Sequence, residues 1–195
     1  GLQQGPTILS LRSLTNLQNY SYTYDPVTGE HNVAYLKEDT INNQQINKEV
    51  ALTYIFRDID GNLLENPSVN SGLIESVEFL SSKNGSIETA DKLSVFSRTD
   101  RFVIDGISGN SANLLIDGIH SGEGFFSGIQ PDGSRLEREY ILDMNFLNVS
   151  VNKEDVETNR NFRSGVTGAL SYESTIRDRG TSSGGTKIVD GTLEF

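Results

Sequence analysis

The amino-acid sequence predicts an all-β fold, an antiparallel barrel or sandwich of about eight to ten strands with at most one or two short helices. Three observations carry this. Apolar and polar residues alternate with period two over most of the chain, as they do when successive side chains point to opposite faces of a sheet. Clusters of Gly, Pro, Asn, Asp and Ser break the alternation at short spacing. Apolar residues at helical spacing are scarce. No shift in composition marks a second domain, so residues 1–195 read as one domain.

The elements follow in chain order. Ile8, Leu11, Leu14 and Leu17 are spaced in threes and suit one face of a helix, so residues 1–18 read as a linker or short helix ahead of the domain. Tyr20, Tyr22 and Tyr24 alternate with Ser21 and Thr23, which puts three rings on one strand face. The turn Asp25-Pro26-Val27-Thr28-Gly29 follows, and the segment from His31 to Lys37 returns as the second arm of a hairpin. Val50, Leu52, Tyr54 and Phe56 form the next alternating run, which ends at Asp58-Ile59-Asp60-Gly61-Asn62. A strand from Leu73 to Leu80 leads to Asn84-Gly85, read as a hairpin turn. The segment from Thr89 to Phe96 suits a turn or two of helix capped by Thr89.

A weak internal echo occupies the centre. Val103-Ile104-Asp105-Gly106-Ile107 resembles Leu115-Ile116-Asp117-Gly118-Ile119. Stacked solenoids need about three such repeats, and the flanking sequence has none, so the echo reads as two successive strands of a meander. Pro131-Asp132-Gly133 is another turn, and the stretch from Leu136 to Val151 is the longest strand-like run. Lys153 to Asn161 is polar on every side and reads as a loop. The segments from Val166 to Ile176 and from Lys187 to Phe195 complete the set.

Charge and composition exclude several classes of function. There are 27 acidic against 16 basic residues, a net charge of −11. Nucleic-acid binding rests on Lys and Arg at phosphates, and no basic footprint exists; Glu137 interrupts the densest basic stretch, Arg135 to Arg138. Nucleic acid is therefore not an expected partner. The absence of Cys removes disulfides, thiolate metal sites and thiol nucleophiles. No run approaches the ~18 apolar residues of a membrane-spanning helix, so no transmembrane segment is expected in this chain. A lipid anchor or targeting segment upstream of Gly1 is left open. The acidic, Cys-free, Asn/Ser/Gly-rich composition points to a secreted or cell-envelope protein of a bacterium, a lipoprotein included.

Calcium is the one cofactor the residues offer. Asp58, Asp60 and Asn62 place oxygen ligands at alternate positions, as at the start of an EF-hand loop. The Gly falls too early for that loop and Val69 stands where its closing Glu belongs, so the same residues also read as a self-capped turn. Asp105 and Asp117 would lie close if their strands are neighbours, with lateral separation the expected answer to their like charge. Gly180-Thr181-Ser182-Ser183-Gly184 fits the G-x-S-x-G nucleophile pattern but lacks its strand-turn-helix setting. His31 and His120 each adjoin an expected turn and read as exposed and idle. Tyr20, Tyr22 and Tyr24 form the candidate ligand-binding row, set against packing of the same rings over a sheet.

The Gly-punctuated strands and acidic polar loops resemble, in general character, those of bacterial envelope β-barrel and lipocalin-like lipoproteins, without a family motif. Three functions are carried from these observations. The first is a non-enzymatic exported or cell-surface β module for binding or adhesion, its surface or extracellular ligand and its oligomeric state unspecified. The second is a lipocalin-like barrel carrying a small apolar ligand in a cavity lined by Tyr54, Phe56, Leu142 and Phe146. The third is a carboxylate-dependent polysaccharide hydrolase.

Overall fold

A computed structural model describes residues 17–159, 165–179 and 184–195. The expected all-β class holds. Nine antiparallel strands form one sheet in sequence order: β1 Leu17–Asp25, β2 Glu30–Ile41, β3 Gln44–Arg57, β4 Ser76–Glu88, β5 Lys92–Asp105, β6 Asn113–Ile129, β7 Arg135–Asn152, β8 Val166–Arg179 and β9 Gly185–Glu194. The sheet is not closed, and β1 and β9 are its edges. Leu17 and Gln18 belong to β1; Ile8, Leu11 and Leu14 lie outside the described residues. The central echo is a meander, its two copies paired antiparallel with Val103 opposite Asp117, Ile104 opposite Ile116 and Asp105 opposite Leu115.

Three local expectations are corrected and one turn is added. Asn84-Gly85 is not a turn. β4 runs through it, paired with Lys48 of β3 and Phe96 of β5, and a Cβ on Gly85 would meet the Asn47 carbonyl oxygen and the Phe96 ring. The segment from Thr89 to Phe96 is not helical; a short turn leads into β5, where Leu93 to Phe96 pair with β4. Residues 153–159 are not a loop but helix α1, Lys153–Asn159. Asn152 Oδ1 accepts the Asp155 N–H at 3.0 Å, and Glu154 and Asp155 place negative charge in the first turn. The added turn is a hairpin absent from the sequence reading, in which Asn42 and Asn43 both take positive φ, 51° and 63°, between β2 and β3.

Strand alternation gives the sheet two chemically different faces. On one, a single lateral row crosses all nine strands: Tyr24, His31, Tyr54, Phe79, Phe102, Gly118, Phe146, Leu170 and Leu193. Its rings touch across strands, Tyr24–His31 at 4.7 Å, Tyr54–Phe79 at 5.1 Å and Phe102–Phe146 at 5.2 Å between centroids. The last pair spans β6, and Gly118 makes it feasible: a Cβ there would run into the Phe102 ring and lie 2.6 Å from the Arg101 carbonyl oxygen.

Burial on this face falls in separate patches: Val149, Val151 and Leu170 are buried on β7 and β8, and a larger patch lies over β2 to β4. Val33, Val50 and Leu52 are buried under Tyr22, Tyr35, Tyr54 and Phe79. Beyond them, the segment joining β3 to β4 folds back over the sheet and buries Leu64 and Ile74 against Phe56, which is 2% exposed. The Leu64 N–H donates to the Phe56 carbonyl at 2.9 Å and the Glu75 N–H to the Arg57 carbonyl at 2.8 Å, which ties both ends of that segment to β3.

Candidate functional site

The opposite face carries an open trough of about 720 Å³, within the usual range of small-ligand sites. It crosses six strands, β2 to β7, and the register explains its lining. Leu36, Glu49, Asn84, Ser97, Glu123 and Ile141 lie opposite one another in one lateral row, strand by strand. Glu38, Asn47, Ser86, Val95, Phe125 and Glu139 form the adjacent row. All of these residues line the trough. Lys48, Gly85, Phe96, Gly124 and Tyr140 also border it, although alternation assigns their side chains to the aromatic face.

The rows sort by chemistry. Carboxylates stand on both flanks, Glu38 and Glu49 on β2 and β3, Glu123 and Glu139 on β6 and β7. The middle strands β4 and β5 contribute no charge, only Asn84, Ser86, Val95 and Ser97. Leu36, Val95, Phe125 and Ile141 supply apolar surface, and Val95 and Ile141 are 42% exposed each. Two of the carboxylates are engaged: Glu38 accepts Gln18 Nε2 at 3.3 Å, and Glu139 pairs with Arg179 at 3.2 Å. Glu49 and Glu123 have no hydrogen-bond or ion-pair partner among the described residues. A second depression of about 620 Å³ lies on the same face over β6 to β9, lined for the most part by polar residue types, with Ser121 Oγ donating to Asp143 at 2.5 Å.

The residues singled out from sequence stand elsewhere. On β1, Tyr20 is 48% exposed, next to a bulge at Asn19 where φ is 52°. The Tyr22 hydroxyl meets His31 Nδ1 at 2.9 Å, and the Tyr24 ring lies tilted against the same imidazole. His31 is not exposed as expected but fully buried. Its Nε2–H donates to the Leu64 carbonyl at 3.0 Å, which leaves Nδ1 of the neutral ring to accept from Tyr22. Burial holds this imidazole below its ordinary pKa, and the Leu64 carbonyl and the Glu65 charge only partly offset that.

At the Asp58 turn, Oδ1 accepts the N–H groups of Asp60 and Asn62 at 3.0 and 2.8 Å, and Oδ2 accepts Asn62 Nδ2 at 3.0 Å. These bonds hold the Asp58 carboxyl below its usual range, that from the Asn62 side chain foremost. No group of three or more His, Asp or Glu with metal-binding geometry occurs among the described residues. Asp105 and Asp117 are offset by two residues along their strands, and Asp117 instead accepts the Asn148 N–H at 2.7 Å, where β7 bulges. Tyr54, Phe56, Leu142 and Phe146, expected around an apolar cavity, take no part in the trough; Tyr54, Phe56 and Phe146 pack against other rings on the aromatic face. Ser182 lies outside the described residues.

One polar cluster was not anticipated. Asp100, on the aromatic face of β5, accepts Ser81 Oγ at 2.5 Å, Lys83 Nζ at 3.2 Å and His120 Nδ1 at 2.6 Å. Desolvation pushes the Asp100 carboxyl up, but the bonds from His120, Ser81 and Lys83 outweigh it and hold the group below its usual value. A serine nucleophile needs the imidazole between hydroxyl and carboxylate. Here the carboxylate is in the middle, so no imidazole stands at the Ser81 hydroxyl, and the cluster works as a cross-strand tie. The trough itself left no local signal, because its members are spread over six strands and meet only through register.

Comparison of the chain with protein-family models, with curated proteins and with solved structures found no match. Among the described residues, no helix is long and apolar enough to cross a membrane.

Proposed function

We propose that the chain is a non-enzymatic binding module, exported or held at a bacterial cell surface, that takes a ligand with an apolar body into the trough across β2 to β7. The observation that carries this is the trough's lining: Leu36, Val95, Phe125 and Ile141 present apolar surface to solvent from four strands, inside a concavity of about 720 Å³. Exposed apolar surface gathered in a concavity is the usual mark of a ligand site. The exported setting rests on the acidic, Cys-free, Asn/Ser/Gly-rich composition.

The test is titration with Nile red, a neutral apolar dye whose emission brightens and shifts to the blue on leaving water. Saturable binding is expected, weakened severalfold by Phe125→Ser, since each buried CH₂ contributes about 0.8 kcal/mol. Phe79→Leu, on the other face, is expected to leave binding unchanged. Absence of saturable binding, or equal loss with both variants, contradicts the reading.

A further inference from the structure

We infer that the trough selects a linear aliphatic dication, two ammonium groups joined by a methylene chain, as in a di- or polyamine. This rests on the reading of the trough as a ligand site. Glu49 and Glu123 belong to the same lateral row, and between them lie only Asn84 and Ser97. The row therefore runs carboxylate, amide, hydroxyl, carboxylate, over three strand spacings of about 4.8 Å each, or roughly 14 Å.

Charge complementarity follows from what these two groups lack. Of the other flank carboxylates, Glu139 is paired with Arg179, while Glu38, in the adjacent row, accepts one hydrogen bond from the neutral Gln18 amide and keeps its charge. Glu49 and Glu123 have no partner among the described residues, and β4 and β5 place no charge between them. A ligand with one cationic end would satisfy one of the two and leave the other facing neutral surface. A ligand with a cation at each end satisfies both. Its methylenes then cross the neutral middle beside Val95 and Phe125 of the adjacent row. An inner amine of a polyamine would meet the Asn84 amide and the Ser97 hydroxyl, both of which accept hydrogen bonds. The trough is open and crosses the strands, which suits an extended chain better than a compact ring system.

The test is isothermal titration calorimetry of the intact chain at low ionic strength with hexane-, decane- and tetradecanediamine and with decylamine. Nile red displacement is run in parallel. Decanediamine, whose extended length matches the gap, is expected to bind tightest and to displace the dye. Glu49→Gln and Glu123→Gln are each expected to weaken it about three- to fivefold, as for exposed ion pairs, and to bring it level with decylamine. Raising the salt concentration is expected to weaken it further.

Equal binding of decylamine and decanediamine overturns the dication and leaves a singly charged amphiphile. Dye binding that no amine displaces overturns the inference while the apolar-ligand reading stands. Neither dye nor amine binding overturns both. Diamine binding unchanged in Glu49→Gln and Glu123→Gln overturns the placement.

Discussion

The two faces of this sheet are built from the same strands in the same register and differ in what their side chains spend their contacts on. On the aromatic face, the histidines and the Asp100 carboxylate are already committed. His31 is held by Tyr22 and Leu64, Asp100 by Ser81, Lys83 and His120, and the rings of the long lateral row rest on one another. On the trough face, Val95 and Ile141 are exposed and Glu49 and Glu123 are unpartnered among the described residues. On the proposed reading, the face richer in aromatic residues is the scaffold and the face with uncommitted groups is the one that meets a ligand.

Breaking the scaffold face should cost most where burial is greatest. Phe56→Ala removes a ring that is 2% exposed and packs against His31, Leu64 and Ile74. A loss of about 3–5 kcal/mol is expected in urea unfolding. A cost under about 1 kcal/mol would show that the segment between β3 and β4 does not bury this end of the sheet.

Gly118→Ala comes next, at about 1–3 kcal/mol. The added methyl meets the Phe102 ring and a backbone oxygen that cannot move aside. Gly122→Ala, four residues along the same strand, has only the end of the His120 ring within 3.4 Å and should cost well under about 1 kcal/mol. Equal costs would mean that ring packing over Gly118 plays no special part.

A pH signature separates His31 from the carboxylates. Its folded-state pKa lies below the unfolded value, so between the two the unfolded chain binds the extra proton. Stability should therefore hold above about pH 6.5, the unfolded value for His, and fall as the pH drops below it. Asp100 has the carboxylate pattern: its depressed pKa stabilises the fold above the unfolded value, near pH 4. That contribution is lost only as the pH falls from there through the folded value. Urea midpoints measured from pH 7.5 to pH 5 should decline in the parent chain and flatten in His31→Asn. A parallel decline in both would place the titrating group elsewhere.

The smallest effect on stability is expected on the trough face. Glu49→Gln and Glu123→Gln should change unfolding free energy by no more than about 0.5 kcal/mol. A larger loss would mean these carboxylates belong to the scaffold after all.

The all-β class, several strand runs and some of the turns were legible because they are local. Period-two runs such as Val50 to Phe56, and the Gly29, Gly61 and Gly133 turns, carry their physics within a few residues. Asn-Gly at residues 84 and 85 misled for the same reason, since that position is set by pairing with β3 and β5 on either side. His31 looked idle beside a turn, because the segment that buries it arrives more than thirty residues later through Leu64. The trough was illegible in principle from one strand at a time. Glu49 and Glu123 become neighbours in a row only once β3 to β6 are in register, and nothing in either segment alone distinguishes them from other surface glutamates.

The central claim, that binding belongs to the trough face and structure to the aromatic face, is tested most directly by methyl NMR. Leu36, Val95 and Ile141 report from the trough, and Val33, Leu52 and Leu142 from the opposite side of the same sheet. Decanediamine or Nile red should shift the first set saturably and leave the second in place. Shifts confined to the second set, or spread evenly over both, would contradict the account.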